Sequence, residues 1–178
     1  MLDRMTQAIA TPQSTVALLY PELDRELDKT RRMLERFPDA HAGWTPHQKS
    51  KSIEALASHI AVLPRHGARL IETDEMDVAA RPKPPLASTA KDLVALFDES
   101  VATLRQALPK ASAELLERPW TMRMGTRVLF SSPRRELMRD MLISHIVHHR
   151  AQLGVYYRLL DVPVPGTYGP SADEPLPQ

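Results

Sequence analysis

His145 and His149 stand four residues apart in the run Ser144-His145-Ile146-Val147-His148-His149-Arg150-Ala151-Gln152-Leu153. On one helical face that spacing puts two side chains about 5–6 Å apart at Cβ, near enough for both imidazoles to meet one cation. Seven histidines in 178 residues give such a pair by chance with an expectation of about a quarter, so placement counts for more than spacing. Both fall on the stripe Met138, Leu142, His145, His149, Gln152, Tyr156, Leu160, which recurs at steps of three and four. Imidazoles on an apolar face need polar partners, and a single cation satisfies both.

A third candidate lies elsewhere. His59 sits three after Leu56 and four before Leu63 in a second helical pattern, again on the inward stripe. If the two helices pack together, His59, His145 and His149 offer three nitrogen ligands to a divalent ion and leave a position for an exchangeable guest. Such an ion lowers the pKa of a water or binds a thiolate. Imidazole suits zinc, nickel, copper and iron alike, so the ligand set does not choose among them. With no cysteine in the chain, thiolate ligands, disulfides and a cysteine nucleophile are excluded.

The elements that must position these rings read as follows. A first helix is predicted from Val16 to Phe37, with Pro21 near its start and Pro38 as its stop. A loop follows, in which Trp44-Thr45-Pro46 anchors the chain to the core and His41 and His47 face solvent. The second helix spans Ile53 to Ile71, and Pro64 is expected to kink or divide it, leaving the direction of His66 open. Arg81-Pro82-Lys83-Pro84-Pro85 is a stiff connector, and Thr89-Ala90-Lys91-Asp92 a capping box for a third helix through Leu108.

Trp120 to Phe130, with Gly125 at the middle, reads as a small β-hairpin. Ser132-Pro133 then starts the last helix, Arg134 to Asp161, as N-cap and first position. Arg150 points to a carboxylate elsewhere, Gln152 to a water at the site, and His148, about 100° round the helix from His149, to an interface or a neighbour of the ligands. The expected fold is all-α, a four-helix bundle with a long connection and a small hairpin before the last helix. One domain covers residues 1–178, with a lead-in over 1–15, a core over 16–161 and an extended tail over 162–178, on the surface or on a neighbouring subunit.

Composition narrows the function classes. With 43% hydrophobic and 25% charged residues the chain has the balance of a soluble globule, and its net charge of +1 supplies no field for nucleic acid. No stretch has the length of a signal peptide core or a membrane span. A cytoplasmic protein without nucleic-acid or membrane partners is expected.

The residues Leu56-Ala57-Ser58-His59-Ile60, the His145 to Leu153 run, Trp44-Thr45-Pro46 and the closing Val162-Pro163-Val164-Pro165-Gly166-Thr167-Tyr168-Gly169-Pro170 together resemble the DinB-like proteins, a bacterial family of metal-binding four-helix bundles. The resemblance runs from about Leu18 to Leu160. It implies that His59, His145 and His149 bind a divalent metal, zinc or nickel first and iron or manganese next. Ala151 stands where the family more often has glycine, a matter of close helix packing and not of ligation. Some relatives are metal-dependent transferases of low-molecular-weight thiols, and others are fused to iron-using sulfoxide synthases. The resemblance therefore implies a small-molecule substrate, such as a low-molecular-weight thiol, or a metal-activated water, and a homodimer. The alternative is a dimeric metal-binding stress-response protein without turnover.

Overall fold

The computed structural model describes residues 14–175, so the lead-in expected over residues 1–15 lies outside the described residues up to residue 13. The first predicted helix is two. Helix α1 (Thr15–Leu19) is capped by the Ser14 hydroxyl, which accepts from the Ala17 N–H at 3.2 Å. Tyr20, placed before Pro21, leaves the helical region at φ −135°, ψ 60° because the proline ring crowds the residue ahead of it. Helix α2 (Leu23–Leu34) then resumes, and the chain leaves it by tight turns that reach Phe37.

Helix α3 (Ile53–Glu72) starts at Ser52, whose hydroxyl accepts from the Ala55 N–H, and runs unbroken through Pro64. Proline removes one backbone donor, but Pro64 is buried with Leu63 and Ala68 in the core, and that packing holds the helix together across the gap. Further along, a Cβ on Gly67 would come within 2.7 Å of Leu142 and 2.9 Å of Leu104, so the glycine is what lets three helices close on one point. Helix α4 (Ala90–Ala107) opens on the expected Thr89/Asp92 box. A short helix α5 (Ala113–Glu117) follows.

The expected hairpin is present as β2 (Pro119–Met124) and β3 (Arg127–Pro133), turning at Gly125 with φ +59°. It does not stand alone. Strand β1 (Glu75–Asp77), which directly follows α3, pairs parallel with β2 in a three-stranded sheet of order β1-β2-β3. The chain is therefore mostly helical with a small sheet, and not all-α. Trp120 anchors that sheet, fully buried, with its indole N–H donating to the Thr73 hydroxyl at 3.2 Å.

Ser132 pairs with Trp120 in the β2-β3 ladder and caps nothing. The last helix instead starts at Arg134, whose N–H reaches the Arg118 carbonyl. It runs as α6 (Arg134–Leu137), a π-helical stretch (Met138–Ser144) and α7 (His145–Leu159). Helix α3 packs on α4 and on the π stretch and α7, while α2 packs on α7 and α4. Leu34, Ile53, Leu56, Leu63, Leu93, Phe97, Leu142 and Leu153 meet between them. Among the described residues no helix is long and apolar enough to cross a membrane.

The π stretch changes which residues face the core. Its wider turns carry Met138, Leu142, Ile146 and Arg150 inward at successive steps of four, and Leu153 and Tyr157 continue the line. The predicted stripe is one residue out of phase beyond Leu142. His145 and His149 lie at the edge of the buried face, half-exposed, instead of at its middle.

Candidate metal centre

Helix α3 presents His59 and helix α7 presents His145 and His149 across their shared interface. The three Nε2 atoms converge: His145 Nε2 lies 3.3 Å from that of His59 and 2.9 Å from that of His149. Zn–N bonds of about 2.0–2.1 Å at tetrahedral angles separate ligand nitrogens by about 3.3 Å, so the spacing suits a shared ion. These three form the one group of histidine, cysteine or acidic side chains among the described residues that could hold a metal.

The second ring nitrogens explain why the first three face one another. Gln152 Oε1 lies 2.6 Å from His149 Nδ1, and since an amide oxygen only accepts, the ring N–H must sit on Nδ1. The Met141 carbonyl acts on the His145 ring, raising its pKa. Met141 belongs to the π stretch, where backbone carbonyls depart from the regular α pattern. With its N–H so engaged, His149 points its Nε2 lone pair at His145 Nε2 across 2.9 Å. That contact calls for a proton or a cation between the two nitrogens.

Electrostatics keeps the rings in the ligating form. Burial, followed by the neighbouring His149, His145, Lys51 and Arg81, pushes the His59 pKa down to about 4. Burial and the facing rings also lower His145, against the opposing pull of the Met141 carbonyl. His149 is lowered mainly by burial, the bond to Gln152 pulling the other way. All three are neutral at pH 7, as metal ligation requires.

One wall of the site comes from the loop before α3. Trp44 meets Tyr156 edge to face with centroids 5.6 Å apart, and Tyr156 reaches the Lys51 carbonyl, so the tryptophan does anchor the loop. Lys51, which acts on both His59 and His149, was marked by no motif; a lone lysine at a helix entrance carries no signature. Gln152 orients the His149 ring through its amide oxygen. His148 is exposed, with its ring 4.8 Å from that of His149. Exposed His41 and His47 lie in the loop as expected. His66 faces Arg81 and takes no part in the cluster. Arg150 finds its carboxylate in Glu26 at 2.6 Å, both buried.

A mostly helical fold with three convergent imidazoles at the rim of its core, their ligand atoms within 4.8 Å of one another, defines a histidine-centred helical protein. The DinB family model matches residues 5–176, and the chain belongs to the DinB family. Among solved structures it is similar to a DinB-like protein from Bacillus cereus, at TM-score 0.63 and 19% identity over 84% of this chain and 95% of that one. A second is a DinB-like protein from Bacillus subtilis, at TM-score 0.60 and 20% identity over 82% and 95%. No curated protein matches the chain.

Proposed function

We propose that this protein binds a divalent transition metal through His59, His145 and His149, and that the centre acts on a small molecule. The observation that carries the reading is the convergence of three Nε2 atoms, two of them 2.9 Å apart, with the His149 N–H turned away to Gln152. Zinc or nickel comes first and iron or manganese next, as the family resemblance implies, since the imidazole set itself does not choose among them. The helices α2, α3, α4 and α6 to α7 are read as the four-helix bundle that brings the ligands together.

A divalent ion supplies Lewis acidity, favouring the deprotonated form of a thiol or water that joins it. The chain supplies the rest. Gln152 holds His149 in one tautomer and one orientation. Lys51 and Arg81 act on His59 with positive charge, and the largest influences on the three rings include no carboxylate, so the site favours an anionic guest such as a thiolate. The half-exposed position of all three rings leaves a side open to that guest. A metal-dependent S-transferase or hydrolase follows as the enzymatic reading. The missing carboxylate also means no built-in general base, which favours a non-catalytic stress-response metal protein as the second reading.

A homodimer is part of the proposal, supported by Val155 and Leu159, each 59% exposed on the outer side of α7. Sedimentation showing only monomer removes it. Elemental analysis of protein purified without added metal, beside a His145→Ala variant, tests ligation: about one ion per chain, lost in the variant, is expected. Assay of the loaded protein with cysteine or glutathione and an electrophile then separates the two readings, since absence of metal-dependent turnover leaves only the non-catalytic one.

A further inference from the structure

Two turns beyond His59 on α3, His66 is 92% buried by the complement of its 8% exposure, and its Nδ1 is the one buried side-chain nitrogen or oxygen without a partner among the described residues. Arg81 Nη2 lies 3.0 Å from His66 Nε2. A guanidinium only donates, so Nε2 accepts and the orphan Nδ1 carries the proton. The neutral ring therefore serves Arg81 as an acceptor and brings no negative charge to it.

His66 also lines, by other ring atoms, a cavity of about 110 Å³ bounded by Arg65, Arg69, Arg81 and Lys83 with the prolines of the connector. The cavity exists because the connector is pinned to α3 at both ends. Arg81 is tied to His66, and Ala87 exchanges hydrogen bonds with the Ser58 hydroxyl, at 2.9 Å and 3.3 Å. Between those ties the prolines keep the chain extended.

The charge in the cavity is one-sided. Arg65 pairs with exposed Glu99, but Arg69, Arg81 and Lys83 have no carboxylate partner among the described residues, and Arg69 contacts only the Met76 sulfur with its guanidinium. Besides burial, the largest influences lowering the His66 pKa come from Arg81, His59, Arg69 and His145, and the two cations among them are Arg81 and Arg69. Arginines half-buried beside one another without a counter-ion are a costly arrangement that a bound anion relieves.

We propose that the cavity between α3 and the proline-rich connector is a binding site for a small oxyanion, a carboxylate or phosphate group held by Arg81, Arg69 and Lys83. Arg81 and Arg69 supply the fork that matches two oxygens, and a volume of about 110 Å³ admits a headgroup rather than a whole cofactor. The His66 and His59 rings lie 6.5 Å apart, so an anion here sits a short molecule's length from the three-histidine centre. The site itself does not depend on a metal.

Calorimetric titration of the metal-free full chain with inorganic phosphate, and separately with acetate, tests the proposal. Saturable one-to-one binding of at least one of them is expected, and whichever binds tells a phosphoryl group from a carboxylate. Arg81→Gln should weaken it about tenfold, the loss of a charge-assisted bond. Lys83→Gln, at an exposed position where folding is not at risk, should weaken it about threefold. His145→Ala should leave it unchanged, which separates this site from any anion held at the metal centre. No saturable binding of either anion, equal binding in Arg81→Gln and Lys83→Gln, or loss of binding in His145→Ala would each overturn the proposal.

Discussion

Gln152 fixes His149 through a 2.6 Å hydrogen bond from Nδ1–H to Oε1, one helical turn away on the same face. The bond locks the tautomer that presents Nε2 to His145 and stiffens the ring against rotation. Gln152 is exposed, so its removal should barely touch stability. Gln152→Ala is expected to lower metal affinity by about ten- to a hundredfold while changing stability by about 0.5 kcal/mol or less. Competition against a chelator of known affinity measures the first and urea unfolding of the metal-free protein the second. Unchanged affinity would show that helix packing alone sets the ring.

Stability of the metal-free protein should rise with pH across the mildly acidic range. Unfolded histidines take up a proton near pH 6.5, whereas burial holds the folded rings neutral until about 4 at His59 and about 3 at His66. Between these limits the unfolded chain carries more protons. Each ring then contributes up to about 1.4 kcal/mol per pH unit, with half-exposed His59 giving less because solvent screens it. The contribution is complete above about 6.5 and is lost as pH falls toward the folded values. Denaturation midpoints at pH 7.5, 5.5 and 4.5 check the slope, which should be shallower in His66→Gln; equal slopes would contradict the assignment.

The residue types and spacings at the centre were legible because metal chemistry needs few donors and a fixed offset. His59, His145 and His149 are found together, as are Arg150 and a carboxylate, Glu26. What sequence periodicity could not show is the π stretch at Met138–Ser144. A pattern read at 3.6 residues per turn runs straight through it and assigns His145 and Gln152 to the middle of the face that Ile146 and Leu153 in fact bury. Strand β1 was missed for another reason. Three residues, Glu75 to Asp77, are too few to show alternation, and their pairing depends on hairpin residues 46 positions later. Pro64 misled because a missing donor is a local cost, while the packing that outweighs it is tertiary.

The Glu26–Arg150 pair should be costly to break. Glu26 receives Arg150 at 2.6 Å and the Tyr168 hydroxyl at 2.7 Å, and Arg150 also donates to the Glu26 carbonyl and the Thr30 hydroxyl. Burial alone would raise the Glu26 carboxyl, but bonds from Tyr168, Arg150 and Lys29 hold it below its usual range. Glu26→Ala leaves a guanidinium buried without its carboxylate and is expected to cost about 3–5 kcal/mol. Tyr168→Phe removes one bond from the tail and should cost about 1 kcal/mol while speeding proteolysis beyond Val162. Urea unfolding of both variants measures the difference, and a Glu26→Ala loss no larger than that of Tyr168→Phe would rule the pair out as a main tie between α2 and α7.

Arg134 should prove as costly to lose, for a different reason. It is 1% exposed, and its guanidinium donates to the carbonyls of Leu70, Thr73, Arg118 and Pro119 as well as to Asp74. Leu70 and Thr73 close α3, where carbonyls have no partner within the helix and cations are favoured; Arg118 and Pro119 open the sheet. One side chain thus joins the end of α3, the start of β2 and the start of the helix that carries His145. Arg134→Met keeps most of the apolar stem but strands these carbonyls, and should cost about 3 kcal/mol or more. The Asp74 side chain is 75% exposed, so Asp74→Asn should cost about 1 kcal/mol or less. If the two variants unfold at the same urea concentration, the ion pair and not the carbonyl contacts is what matters, and the junction is held some other way.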